Sequence, residues 1–273
     1  MYQVGKKYDL EMTQKVTMDM GAVSRALGQE GVGGKTEVNM KMRMAITCKS
    51  HSIEDQRTVT TKYARVAMSV AMGQMNMNYD SSDPTTADSP VAKQMQPLLG
   101  LEIVAIIDEK GKTVEIKGLE QMEAMQQFSP EQLKQMFNPA QQLGFPEGGV
   151  APGDTWGHLT DLPMGKQIGK VKMNMRMKYE KDQIIEGVDC AVISYSGALD
   201  TSGKAEPAAA KMNVKDFEIV GTMIFDRANQ VIKEGSSNGK MNLSMPNPTD
   251  PQQKLNLPSE YEQKLKMISV TDL

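Results

Sequence analysis

Hydrophobic and polar residues alternate along this chain over long stretches. From Tyr8 the even positions read Tyr8, Leu10, Met12, Val16, Met18 and Met20, while the odd ones are mostly polar or charged. A second stretch repeats the pattern with Val38, Met40, Met42, Met44, Ile46 and Cys48. Alternation with period two places each set on one face of a pleated strand. Each stretch of about a dozen residues spans roughly 40 Å, and strands of that length twist and curl. A third stretch, Arg57 to Asn78, changes parity twice: Val59 and Tyr63, then Val66, Met68, Val70 and Met72, then Met75, Met77 and Tyr79. Each change calls for an extra residue, and Gly73 stands at the second. The pattern predicts β-bulges bending one strand around a curved sheet.

Two helices are expected between strands. Ser89-Pro90 supplies an N-cap and a first-turn proline, and Gly100 closes that helix. Ser129-Pro130-Glu131-Gln132 opens the second with a capping-box pattern, and Pro139 stops it. Leu101 to Ile107 and Lys112 to Lys117 read as a hairpin around Asp108-Glu109-Lys110-Gly111.

The second half of the chain resembles the first. Pro152-Gly153-Asp154-Thr155-Trp156 matches Val4-Gly5-Lys6-Lys7-Tyr8, an aromatic shortly after glycine at a strand start. Val171, Met173, Met175, Met177 and Tyr179 form another alternating face, and Cys190, Val192 and Tyr195 begin its partner strand. Phe217 to Phe225, Val231 to Gly235 and Lys240 to Met245 complete a meander, followed by a proline-rich connector, Pro246 to Pro251. In Ser259 to Leu273 a capping box (Ser259, Glu262) competes with the alternation of Leu265 and Met267, and a strand is favoured. The expected fold is mainly β: long, curved, half-barrel-like antiparallel sheet in two similar halves, 1–148 and 149–273 of one continuous domain, with two short helices packed against it.

Composition narrows the function. The 273 residues carry a net charge of −3, and the lysines are scattered among acids, which argues against nucleic acid as a partner. No apolar run approaches the ~20 residues of a spanning helix. Met1 leads directly into Tyr2-Gln3-Val4-Gly5 without a leader pattern, as expected of a cytoplasmic protein or of an exported one whose signal has been replaced by a starting methionine. Methionine is abundant, 24 residues against 5 Phe and 1 Trp.

Tyr79-Asp80-Ser81 after a long strand, Ile107-Asp108 to Gly111 in a hairpin, and Pro152-Gly153-Asp154-Thr155-Trp156 at mid-chain resemble an uncharacterised family of exported bacterial proteins. Those proteins carry signal or lipoprotein peptides and have no assigned activity, so the resemblance implies a periplasmic or cell-envelope location. More distantly, long curved strands with helices laid against them are similar to the LolA/LppX-like lipoprotein carriers, whose half-barrel holds acyl chains. That second resemblance is one of fold, and fold does not carry function.

Catalytic patterns are weak. Gly31-Val32-Gly33-Gly34-Lys35-Thr36 misses the phosphate-loop spacing by one, with Gln29 where the first glycine is needed, and Lys35 leads into a strand. Nucleophilic catalysis finds no support, since only His51 and His158 offer an imidazole. Cys48 and His51 are half a metal site without a second pair. Asp80-Ser81-Ser82-Asp83-Pro84 reads as turn-forming. The chain therefore reads as a non-enzyme with neither catalytic residue nor cofactor. Cys48 and Cys190 fall at matching points of the two halves. A bridge between them would add about 4–5 kcal/mol on the chain-entropy model, and two free buried thiols fit equally well.

The methionines admit three readings. Met-x-Met strands suit copper(I) or silver(I), which thioethers bind as soft ligands. A Met-lined interior could instead adapt to varied apolar guests such as lipids or acyl chains: burying a methionine gains about 1.5–3 kcal/mol, but fixing it costs up to about 2 kcal/mol in rotamer entropy. Or methionine simply fills the core of an envelope protein that works through protein contacts. For an apolar ligand the candidate residues are the central Met faces, Met40, Met42, Met44, Met68, Met72, Met173, Met175 and Met177.

Overall fold

A computed structural model describes residues 2–28, 34–53, 55–109, 113–118, 144–146, 148–164, 170–200, 213–250 and 252–273. Its strands are β1 Lys6–Asp19, β2 Lys35–Ser50, β3 Arg57–Met72, β4 Met75–Asp80, β5 Glu102–Ile107, β6 Thr113–Lys117, β7 Thr155–Pro163, β8 Lys170–Ile185, β9 Val188–Leu199, β10 Asn213–Asp226, β11 Val231–Pro246 and β12 Lys254–Asp272. They form one open antiparallel sheet in the order β6-β5-β3-β2-β1-β12-β11-β10-β9-β8-β7, with β4 paired to β3 off this path. The long-stranded, half-barrel-like β fold read from the alternation is the fold observed. Two meanders, β1 to β6 and β7 to β12, are joined where β12 lies between β1 and β11. Both meanders start alike. Gly5 (φ +81°) donates to the Cys48 carbonyl at 2.8 Å, and Gly153 (φ +97°) to the Tyr179 carbonyl at 2.7 Å.

Register shows how the sheet bends. The pairs Arg43↔Arg65 and Met44↔Tyr63 leave Ala64 as an extra residue, which is the first parity change read in the sequence. Ile268, Lys233 and Glu180 are extra in the same way on β12, β11 and β8. These bulges fall at nearly the same level across the sheet, so they act as a transverse crease. Beyond the crease Tyr8, Ile46, Cys48, Val59, Ile107 and Val231 pack as one cluster. The chain start crosses that end as a strap. The Tyr2 carbonyl accepts from Arg57 Nη1 at 3.0 Å, Gln3 N donates to the Tyr8 hydroxyl at 2.8 Å, and Gln3 Nε2 reaches the Ala228 carbonyl.

Several expectations are corrected. Gly73 is no bulge: with φ +58° it takes the first central place of a two-residue turn joining β3 to β4, where Met72 pairs with Met75. Val231 to Gly235 and Lys240 to Met245 belong to a single strand, β11, because Ser237 and Gly239 stay in register with β10 and β12. The partner strand expected from Cys190 is β9, on which Ala191, Ile193 and Tyr195 turn to the core. The helix expected after Ser89 is α2, Pro90–Met95, capped by the Ser89 side chain on Ala92 N at 3.1 Å and extended by a 3-10 turn, Gln96–Leu98. A second helix, α1 Gly21–Ala26, was not anticipated; it lacks a side-chain N-cap. The helix expected over 129–139 lies outside the described residues. The C-terminal segment is strand β12.

Candidate functional site

The core face of the sheet can be followed strand by strand through the register. One transverse row runs Tyr79, Met68, Met40, Gln14, Gln263, Ser237, Gly221, Tyr195, Met177, Trp156. The row on the crease side runs Val66, Met42, Met12, Leu265, Gly235, Met223, Ile193, Tyr179. The row on the other side runs Val70, Val38, Val16, Tyr261, Gly239, Ile219, Gly197, Met175, His158. None of these residues is Asp, Glu, Lys or Arg. The result is an apolar, uncharged face crossing both meanders, with a short polar stretch at the middle of the central row.

Cover on this face is uneven. Val91, Ala92 and Met95 of α2, with Leu98, pack on Met42, Val66 and Tyr79 at one side. At the other, Phe145 stands 5.5 Å from Trp156 and 6.1 Å from Phe225, ring centre to ring centre. Between them Met12, Val16, Met40, Leu265 and Tyr261 are only half-buried.

The methionines expected to form a site divide into two groups. Met40 and Met68 are cross-strand partners, and Met42 pairs with Met12 and Val66. Met44 packs in the cluster beyond the crease. Met173 and Met177 are fully buried on β8, with Met175 half-buried between them. Met72 is not core: it is 37% exposed at the β3–β4 turn, opposite Met75 at 53%. Parity alone put Met72 on the right face but could not show that the strand ends there.

The sequence reading missed the polar stretch. Glycine is what admits it: a Cβ on Gly221 would lie 2.4 Å from Tyr195 Cζ, and one on Gly239 would lie 2.3 Å from Tyr261 Cε1. The two rings occupy these glycine gaps, and their hydroxyls converge on Ser237. Tyr261 donates to Ser237 Oγ at 3.3 Å, and Tyr195 hydrogen-bonds the same hydroxyl. Burial raises the pKa of both phenols above the ordinary value, so both stay neutral donors. Beside Ser237, which is buried, Gln263 donates its amide to Met12 Sδ at 3.2 Å. The side chain of its neighbour Gln14, half-buried, makes no hydrogen bond among the described residues. The sequence signal was Ser236-Ser237-Asn238-Gly239, small polar residues at strand parity.

The opposite face is charged. Glu11 meets Lys41 at 3.0 Å and Arg43 at 3.1 Å, and Lys15 meets Glu37 at 2.6 Å. Hydrogen bonds from Lys41 and from Lys15 hold Glu11 and Glu37 below the usual carboxylate range. Two open grooves of about 590 and 960 Å³ are lined by residues of both parities, Lys15, Asn39 and Lys41 with Gln14, Met40 and Gln263 in one and Asn174, Arg176 and Ser196 with Trp156 and Met175 in the other.

The remaining candidates have structural surroundings. Lys35 begins β2, while 31–33 lie outside the described residues. Cys48 points to the Tyr2 carbonyl at 3.4 Å, whereas His51 Nδ1 lies 3.0 Å from Thr58 Oγ1. Asp80 takes a two-point ion pair from Arg65, which holds its carboxyl far below the usual range, and Asp83 caps the Pro84–Thr86 turn. Cys48 and Cys190 are both free and buried, on strands separated by β1, β12, β11 and β10, so the bridge considered between them is not formed. Among the described residues no group of three or more His, Cys, Asp or Glu is placed to hold a metal, and no helix is long and apolar enough to cross a membrane.

Comparison with known proteins agrees with the architecture. A family of unknown function, DUF6263, matches residues 54–125, a span that contains Tyr79-Asp80-Ser81 and the Ile107-Asp108 hairpin. No curated protein matches the chain. A solved structure on lipid–protein interactions in lipovitellin aligns with 100% of this chain at 13% identity and a TM-score of 0.53, so the fold is shared. The chain spans 26% of that much longer one. The structure of DynF from the dynemicin biosynthesis pathway of Micromonospora chersina aligns with 95% of this chain and 79% of its own at 10% identity, with a TM-score of only 0.23.

Proposed function

We propose that the chain is a non-enzymatic binding module of the periplasm or cell envelope that holds an apolar ligand, a lipid or acyl chain, against its methionine-rich face. The observation that carries this reading is the three-row face itself, uncharged from β4 to β7 and half-covered at its centre. An apolar surface of that extent gains by removing a hydrocarbon from water, and unbranched methionines such as Met12, Met40 and Met68 adapt to guests of differing shape. The fold likeness to lipovitellin, a protein whose structure was described for its lipid interactions, supports the same reading.

Native mass spectrometry on protein exported and purified without detergent tests it. A mass excess removed by organic extraction is expected. A bare mass that stays bare after incubation with lipid extract overturns it and leaves a module acting through protein contacts. The exposed Met72–Met75 pair, with Met77 two residues on, supports a second reading as a thioether site for copper(I). A copper adduct lost in the variant Met72→Leu/Met75→Leu checks it in the same spectra.

A further inference from the structure

The polar stretch at the centre of the apolar face calls for its own account. Gln14, Gln263 and Ser237 are consecutive in one transverse row on β1, β12 and β11, and the hydroxyls of Tyr195 and Tyr261 point at the same place. Aliphatic residues at these positions would bury more apolar area at no desolvation cost. The hydroxyls satisfy one another, but the amides do not: Gln263 donates to a thioether, a weak acceptor, and the half-buried side chain of Gln14 makes no hydrogen bond among the described residues. The sheet therefore offers amide donors and amide acceptors, all neutral, in the middle of a surface with no cation or anion in its rows. The carboxylate of a fatty acid or the phosphate of a phospholipid would find no cation within these rows, the lysines nearby being of the opposite parity, and a pure hydrocarbon would leave the amides without partners.

We propose that this row is a subsite for the carbonyl group of a neutral acyl ester or amide, with the attached chains lying along the flanking methionines. The inference rests on the apolar-ligand reading and names the ligand class. Gln14 and Gln263 donate to the carbonyl oxygen, while Ser237, held by the two tyrosines, sets the edge of the subsite. The chains run over Met40 and Met68 on one side and past Gly221 towards Met177 on the other.

Competition binding on delipidated full-length protein tests this, with radiolabelled diolein displaced by unlabelled diolein, by hexadecane or by oleate. The native protein is expected to favour diolein over both competitors by about five- to tenfold, the effect of one or two net hydrogen bonds. The variant Gln14→Leu/Gln263→Leu, matched in bulk, is expected to keep hexadecane binding and an unchanged melting temperature while its ester preference falls within twofold. Gln14→Met with Gln263→Met, unbranched and of similar length, gives a second variant should the leucines disturb folding, and its ester preference is expected to fall in the same way. Equal affinity for diolein and hexadecane in the native protein overturns the subsite alone, as does a preference that survives in both variants. A native protein that binds none of the three overturns the apolar-ligand reading as well.

Discussion

The ring of Tyr195 occupies the space that a side chain on Gly221, its cross-strand partner, would fill. The Cβ of an alanine there would lie 2.4 Å from Tyr195 Cζ and 2.4 Å from the Ser236 carbonyl oxygen. The ring could swing aside, but the carbonyl belongs to the neighbouring strand and cannot. Gly221→Ala is expected to destabilise the fold by about 1–3 kcal/mol, as overpacking does, read as a lower denaturation midpoint in urea. An unchanged midpoint would mean that the ring is not fixed by this gap.

Arg65 and Asp80 join β3 to the end of β4 through a two-point ion pair, reinforced by Ser82 N and Oγ on the same carboxylate oxygen. The Asp80 carboxyl is held far below its ordinary value, by Arg65 first and Ser82 next. Because the folded form keeps this group ionised, its stabilisation is present above the unfolded carboxylate range near pH 4 and is lost as pH falls below it. The pair is partly exposed, so Asp80→Asn is expected to cost only about 1 kcal/mol at neutral pH. Thermal melts of both proteins between pH 7 and 2 should converge towards the acid end.

Cys48 and Cys190 are both fully buried, and desolvation raises both thiols above their ordinary value. Neither is expected to react with an aromatic disulfide reagent in the native protein, and both are expected to react in strong denaturant. One thiol reacting at native pH would show that its strand end opens.

Exposure also orders the methionines. Met75 at 53% and Met72 at 37% should be oxidised by dilute peroxide well before Met173 at 0% and Met177 at 1%. Peptide mapping after limited oxidation reads the order directly, and early loss of Met173 would contradict the packing of β8.

What the sequence made legible was local. Alternation from Tyr8 and from Val38 found long strands, and the parity change between Tyr63 and Val66 found the Ala64 bulge before any partner strand was known. A glycine between two parities is ambiguous, since a bulge and a two-residue turn both consume residues, and Gly73 proved to be the turn. The polar subsite was illegible for a different reason. Gln14 and Gln263 become neighbours only through the β1–β12 register, across nearly the whole chain, and no local window holds both. Ser237 and Gly239 looked like a break because small polar residues usually end strands, whereas here Gly239 makes room for the ring of Tyr261 and Ser237 accepts from its hydroxyl.

The junction of β1 with β12 governs how this molecule can come into being. Lys6 pairs with Asp272 and Tyr8 with Val270, so the centre of the sheet joins strands that are very far apart in sequence. On the ribosome the first meander emerges with β1 as a bare edge, and that edge stays open until every other strand of the sheet has been made. Loop-closure entropy makes such pairing slow, and an unpaired apolar strand invites association with other chains meanwhile. Shielding β1 until β12 has been made would therefore favour the native pairing over association.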